Sequence, residues 1–290
     1  MNTALPLTGR DLSPSLLHAI DSAVRRAIDE DIGQGDLTAK LVPAAQLARA
    51  TIVCREPAVI CGQPWVERCF QQLAPDSEIH WQVAEGDEAS AGQTLCVLQG
   101  HARALLTAER CALNFLQTLS ATATATRRYV DAVAGTQARI MDTRKTLPGL
   151  RLAQKYAVTV GGGMNQRLGL YDGILIKENH IAAAGGIAAV LQAAQRIGGE
   201  VPVQIEVETL AELQSALAAG ARLILLDNFS LDELSEAVKI TAGRAALEAS
   251  GNIHLGNVRE VALTGVDRIS IGGLTKHVQA IDLSMRFEAA

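Results

Sequence analysis

VPVQIEVETLAELQSALAAGARLILLDN, residues 201–228, decides the fold. Two short aliphatic runs, VPVQIEVE and ARLILLDN, close on carboxylates, and a stretch with helical spacing joins them. Strand, covering helix and second strand make the unit of parallel α/β architecture. From Arg139 onward the chain repeats this unit every 20 to 35 residues or so. The other runs are ARIMDTRK (138–145), DGILIKEN (172–179), AALEASGN (245–252) and DRISIGG (267–273). Six such runs predict an incomplete parallel β/α barrel, short of the usual eight strands, with strands that read as apolar on both faces. In such barrels the active site lies at the C-terminal ends of the strands, so polar endings spread over more than a hundred residues converge on one mouth.

Upstream the pattern differs. Ser13-Pro14 reads as a helix start, with Leu16, Leu17, Ile20, Val24 and Ile28 at helical spacing up to Gly33. From Thr51 to Leu98 short apolar runs (TIVC, AVICG, IHWQVAEGD, GQTLCVL) are broken by Gly and Pro, as in a small sheet. The turn EGDEASAGQTL is similar to those of lipoyl- and biotinyl-type half-barrels, but no lysine lies between Lys40 and Lys145, which excludes a carrier function. Residues 103–131 form one long helix or two in series. The tail IDLSMRFE, 281–288, alternates strictly and reads as a strand returning to the first domain. The expected organisation is an α+β open-sandwich domain over 1–118, a catalytic barrel over 119–278, and a returning strand in 279–290.

Composition sets the class. Of 290 residues, 48% are hydrophobic but only 3% aromatic, the Ala/Leu/Val/Ile-rich balance of α/β proteins. No apolar run approaches the roughly 20 residues that span a bilayer, and MNTALPLTGRD lacks the basic start and apolar stretch of a signal peptide. A soluble cytoplasmic protein with no membrane partner is expected. Cys54, Cys61, Cys69, Cys96 and Cys111 are odd in number and never spaced C-x-x-C, which points to reduced, buried thiols. The net charge of −5 disfavours nucleic acid, yet Arg139 to Lys177 carries seven cations against Asp142 and Asp172. That asymmetry suggests a focused field for a small anion.

The strand endings hold the candidate chemistry. Thr143-Arg144-Lys145 sets two cations on one loop, where a guanidinium can grip a carboxylate in two parallel hydrogen bonds. Arg151 and Lys155 follow, as ligands or as solvated charges. The triple glycine of VGGGMNQRLGLYDG could bring N–H groups close to an anion, with Arg167 just beyond. Lys177 ends DGILIK as an ion-pair partner or, once desolvated, a Schiff-base nucleophile. Glu206 and Glu208 share a strand face by periodicity, and Asp227 ends the next strand. Glu206 and Asp227 are the primary pair, suited to a divalent metal or a developing positive charge. Ser250-Gly251-Asn252 and Gly272-Gly273-Leu274 are small turns, rich in backbone donors, that suit phosphate.

Together these residues resemble the quinolinate phosphoribosyltransferase family. The resemblance covers nearly the whole chain, through EDIGQGDLTAKL, LLTAERCALNFLQTLSA, MDTRKTLPGLRLAQKYAV, GGGMNQRLGLYDGILIKENHI, IEVE, LLDN, SGN and ISIGGLTKHVQAIDLSM. It implies phosphoribosyl transfer from phosphoribosyl pyrophosphate to quinolinate with loss of carbon dioxide, giving nicotinate mononucleotide for NAD synthesis. It also implies a homodimer in which Arg110 completes the partner's site, with assembly to a hexamer left open. Arg144, Lys145, Arg167 and Lys177 would hold the substrates, with Thr143 and Gln166 beside them. Glu206 and Asp227 would face the ribose and magnesium, directly or through substrate and water, and the two small turns would bind phosphate. Many members have His where this chain has Gln166, a neutral donor that does not titrate near pH 7. A Schiff-base lyase or aldolase built on Lys177, or a non-catalytic anion-binding relative, are the alternative readings.

Overall fold

Ser13 opens the first helix, its hydroxyl accepting from the Leu16 N–H at 3.3 Å, with Pro14 at the first helical position where no N–H is needed. The computed structural model describes residues 12–288, so MNTALPLTGRD and the last two residues lie outside it. The chain runs through α1 (Pro14–Ile32), β1 (Leu47–Cys54), β2 (Ala58–Val59), α2 (Gln63–Leu73), β3 (Glu78–Trp81), β4 (Glu88–Ala89), β5 (Thr94–His101) and α3 (Ala102–Ala132). It continues with β6 (Arg139–Met141), α4 (Arg151–Val160), β7 (Ile174–Ile176), α5 (Glu178–Ala184), α6 (Ile187–Gly198), β8 (Val203–Val207) and α7 (Leu210–Ala218). It ends with β9 (Leu223–Asp227), α8 (Leu231–Thr241), β10 (Ala246–Ser250), α9 (Val258–Leu263), β11 (Arg268–Ser270), α10 (Gly273–Lys276) and β12 (Leu283–Phe287).

The described residues of Met1–Arg127, Thr146–Gly162 and His277–Ala290 form one unit, and Arg128–Lys145 with Gly163–Lys276 form another. Residues 146–162, read from sequence as part of the barrel, therefore belong to the first unit.

In the first unit an antiparallel sheet runs in the order β12-β1-β5-β3. Alternation along β1 buries Ala50, Ile52 and Cys54. They pack with Leu16, Ile20, Trp65, Phe70 and Leu105 in one apolar core, where all five cysteines are buried free thiols. α3 is a single helix of 31 residues. Its small hydroxyls explain SATATAT in a helix interior: Ser120 accepts from the Cys61 N–H at 2.9 Å and Thr124 from that of Val59 at 2.8 Å. They supply partners that the short β2 does not find in a ladder. The triple glycine also serves packing. A Cβ on Gly161 would stand 2.5 Å from the Ala123 carbonyl oxygen, so this glycine lets α4 end against α3.

In the second unit six parallel strands run in the order β6-β11-β10-β9-β8-β7. The seventh place, between β6 and β7, holds a single parallel bridge, Met141 to Met164, instead of a strand. Curvature follows from one residue. Gln166 donates its backbone N–H to Asp142 Oδ1, just past β6, and its side-chain amide to Gln204 Oε1 on β8, each at 2.7 Å. In a flat sheet β6 and β8, four strand spacings apart, would be separated by about 19 Å. The sheet therefore curls into an incomplete barrel.

The strands are not apolar on both faces. Ile205, Val207, Ile224, Leu226, Leu247, Ala249 and Ile269 form the apolar core with residues of α6, α7, α8 and α9. The alternate positions hold Gln204, Glu206, Asp227, Glu248 and Ser270, with Gln204 3%, Glu206 8% and Glu248 0% exposed. Buried polar side chains on the inner face replace the expected second apolar face, and each finds hydrogen-bonding partners there or at the mouth.

Candidate active site

The mouth of the second unit is built from strand ends. Lys177, the residue after β7, places Nζ 2.7 and 2.6 Å from the two carboxylate oxygens of Glu206 on β8. Glu206 is nearly buried while Lys177 is half-open to solvent, so the pair bridges the barrel interior and the mouth. An ammonium engaged by both oxygens is the ion-pair reading of Lys177, not that of a free amine. Glu208 does not share Glu206's place. β8 ends at Val207, and Glu208 is exposed at the start of α7, its N–H bonded to Glu212.

Asp227 closes β9 opposite Ser250 in the parallel ladder. Its carboxylate accepts from Asn228 Nδ2 at 2.9 Å, and Asn228 Oδ1 accepts from Asn252 Nδ2 at 3.2 Å. This tightness explains the SGN turn: a Cβ on Gly251, at φ +93°, would stand 2.2 Å from Asn228 Oδ1. Ser250, Gly251 and Asn252 are thereby gathered beside Asp227.

On β6's far end, Thr143 Oγ1 accepts from the Lys145 N–H at 3.1 Å, and the Lys145 carbonyl accepts from the Thr275 hydroxyl at 2.7 Å. The Lys145 side chain lies along Gly272, where a Cβ would meet its Cδ at 3.1 Å and Thr143 Oγ1 at 3.6 Å. Gly272 and Gly273 are partly exposed, but the Leu274 side chain is buried in the apolar core, so only its backbone could serve a ligand.

Arg167 completes the cationic side. Burial, then repulsion from Arg144, lowers its pKa, with Asp172 opposing, which places the two guanidiniums in each other's field. Its Nη1 donates to the Gly173 carbonyl at 3.3 Å. Gln166, beside it, directs its amide to Gln204 and Glu248, and Glu248 is pushed above the usual carboxylate range by burial against hydrogen bonds from Gln166, Gln204 and Ser270. Gln204, Glu248 and Asp142 are site-forming residues that the strand runs hid. Two of them were signalled by parity alone, lying two residues before Glu206 and Ser250.

Three further cations belong to the first unit. Arg110 is exposed on α3 in the first unit. Arg151 and Lys155 also belong to the first unit, Arg151 Nε bonding Thr146 Oγ1 at 3.2 Å and Lys155 being fully buried.

Two family profiles match, the quinolinate phosphoribosyl transferase N-terminal domain over residues 36–120 and its C-terminal domain over 122–286. The chain belongs to the quinolinate phosphoribosyltransferase family. Within that family it is 42% identical over 281 residues to the carboxylating nicotinate-nucleotide pyrophosphorylase of Mycobacterium leprae, covering 94% of this chain and 99% of the relative. It is 36% identical over 290 residues to a decarboxylating quinolinate phosphoribosyltransferase of Nicotiana glauca, covering 93% and 82%. The solved nicotinate-nucleotide pyrophosphorylase of Francisella tularensis superposes with a TM-score of 0.93 at 41% identity, over 99% of this chain and 100% of that one.

Proposed function

We propose that the protein transfers the phosphoribosyl group of phosphoribosyl pyrophosphate to quinolinate with decarboxylation, giving nicotinate mononucleotide, pyrophosphate and carbon dioxide for NAD synthesis. The observation that carries this reading is cations meeting carboxylates at the strand ends of one unit: Lys177 is paired with Glu206, Asp227 ends the neighbouring strand, and Arg167 lies in the field of Arg144. Quinolinate is a dianion, and a paired guanidinium set suits two adjacent carboxylates. Phosphoribosyl pyrophosphate brings several more negative charges, for which Lys145 and the backbone donors of Ser250 to Asn252 and Gly272 to Leu274 provide a cradle.

The lone pair of the pyridine nitrogen forms the bond to the ribose anomeric carbon as the bond to pyrophosphate breaks, its electrons leaving with the pyrophosphate oxygen. Positive charge grows on the sugar, where Glu206 and Asp227 stabilise it. The ring nitrogen is then cationic, so the carbon–carboxylate bond beside it breaks readily. Its electron pair stays on the ring carbon, which takes a proton. Arg144 and Arg167 hold the carboxylates in register through both steps.

Among the described residues no group of three or more His, Cys, Asp or Glu could hold a metal unaided. Glu206 and Asp227 offer hard oxygens, and magnesium commonly keeps water and substrate phosphates in its shell, so the pair fits a magnesium shared with the substrate. Bound there, it would screen the charge of the departing pyrophosphate. The working form is a cytoplasmic homodimer in which Arg110 reaches the partner's mouth. An exposed arginine on a helix outside the barrel supports that role.

The test follows carbon dioxide and nicotinate mononucleotide from quinolinate, with nicotinate as the rejected control. Product from nicotinate, or none from quinolinate, refutes the assignment. A borohydride-trapped adduct at Lys177 would point to the Schiff-base alternative.

A further inference from the structure

Residues 166–169 lie in neither helix nor strand, yet each backbone N–H ends on a side-chain oxygen. Gln166 donates to Asp142 Oδ1 at 2.7 Å and Arg167 to Gln166 Oε1 at 3.0 Å, while Leu168 and Gly169 donate to the two oxygens of Asp172 at 2.7 and 2.9 Å. The segment is held as firmly as a strand, but by side chains.

The anchor of this arrangement lies inside the barrel. The Gln166 amide nitrogen is 2.7 Å from Gln204 Oε1 and 2.8 Å from Glu248 Oε1, and Gln204 Nε2 donates to Glu248 Oε2 at 3.1 Å. With its oxygen taken by the Arg167 N–H, the amide has a single orientation: donors inward to Glu248 and Gln204, acceptor toward the backbone of Arg167. Glu248 is 0% exposed and Gln204 3%, so neither can reach a substrate. A buried carboxylate is costly unless its oxygens are bonded, and here Gln166 and Gln204 supply those bonds, with Arg268 alongside in the ladder. Nothing in the apolar packing of the outer helices requires a carboxylate on this inner face.

We propose that Glu248, with Gln204, is a positioning residue for quinolinate binding: it clamps the Gln166 amide, and through it sets the main chain from which Arg167 reaches the mouth. This rests on the reading of the mouth as a quinolinate site. Arg167 lies in the repulsive field of Arg144, so without an anchored backbone the two guanidiniums would drift apart in the absence of their anion. The network holds the pair close enough to meet two carboxylates together, which is preorganisation of a like-charged site.

The test measures direct quinolinate binding by calorimetry without the second substrate, then KM for each substrate, in the wild type, Glu248→Gln and Gln166→Asn. Glu248→Gln keeps size but replaces an acceptor oxygen with a donor facing other donors, and Gln166→Asn shortens the amide beyond reach of Glu248. Both should weaken quinolinate binding about tenfold or more, the scale of one lost charge-assisted contact, while KM for phosphoribosyl pyrophosphate stays within about threefold. Wild-type-like quinolinate binding in both variants overturns the proposal. So does equal weakening toward both substrates together with a lowered melting temperature, the signature of a merely structural role. If Glu248→Gln does not fold, Gln166→Asn, at a partly exposed position, decides alone. Failure of the wild type to bind quinolinate would instead sink the functional reading.

Discussion

The two units use buried space in opposite ways. In the first, apolar side chains dominate the interior, with Trp65, Phe70, Ile52 and the leucines of α1, β5 and α3 packed around free thiols, and polar groups such as Ser120, Thr124 and Lys155 buried among them. In the second, apolar packing lies between sheet and helices, while the inside of the curled sheet holds Gln204, Glu206, Glu248 and Ser270. Cohesion and chemistry are separate layers in the barrel. Charged groups can therefore be changed at the mouth without loosening the layer that keeps the strands together.

The largest expected effect tests the apolar interior of the first unit. Phe70→Ala should cost about 3–5 kcal/mol of stability, read from denaturant melts, because the side chain is 1% exposed and leaves a cavity. The corresponding change at the mouth should do the reverse. Arg144→Ala or Arg167→Ala should lose about 2–4 kcal/mol of transition-state binding for quinolinate, lowering kcat/KM roughly 30- to 900-fold. The melting temperature should stay within about 3 °C of wild type, and a collapse of the fold would show that cohesion and chemistry are not separate.

If the proposed homodimer shares its sites through Arg110, mixing Arg110→Ala with Arg167→Ala, each nearly inactive alone, should restore about a quarter of wild-type activity, because half the dimers are then mixed and carry one intact site. No recovery would place Arg110 outside the partner's mouth. A smaller effect is expected at the surface of the barrel, where Ser230 and Glu233 form a reciprocal cap on α8. Ser230→Ala should cost about 1 kcal/mol and leave turnover untouched.

The mildest test uses pH. Burial pushes the Cys69 and Cys96 thiols up to about 12 from 9.0. A raised value means the folded state favours the protonated thiol. The contribution is complete below pH 9.0 and is lost as pH rises toward 12. Alkaline melts should therefore weaken the first unit before the second, which carries no cysteine among its residues. Replacing both thiols by Ala should flatten that dependence.

Much of this was legible in the residue order. Six aliphatic runs ending in chemistry became the six parallel strands, and Ser13-Pro14 became a capped helix start. Lys177 and Glu206, named from strand endings thirty residues apart, meet as an ion pair. What escaped did so for a physical reason. The hydrophobic content of these runs is dominated by the outer residues Ile205, Ile224 and Leu247, which masks Gln204 and Glu248 although their parity matches Glu206 and Ser250. Likewise strand periodicity puts Glu208 on the face of Glu206, but the strand stops one residue earlier. Packing decided the triple glycine, since closeness to Ala123 and Thr126 is a three-dimensional fact that no local pattern carries. The allotment of residues 146–162 is of the same kind, set by which core Tyr156 and Val160 enter.

The pairing of β12 with β1 bears on how this polypeptide can be divided. The last strand of the chain shields an edge laid down almost at its beginning, so a fragment ending near residue 118 would leave the hydrogen-bonding groups of β1 facing solvent and open to stray association. Expression of the two halves as separate genes should give insoluble material unless both are made together. A nascent chain leaving the ribosome must likewise wait for residues 283–287 before that border is sealed.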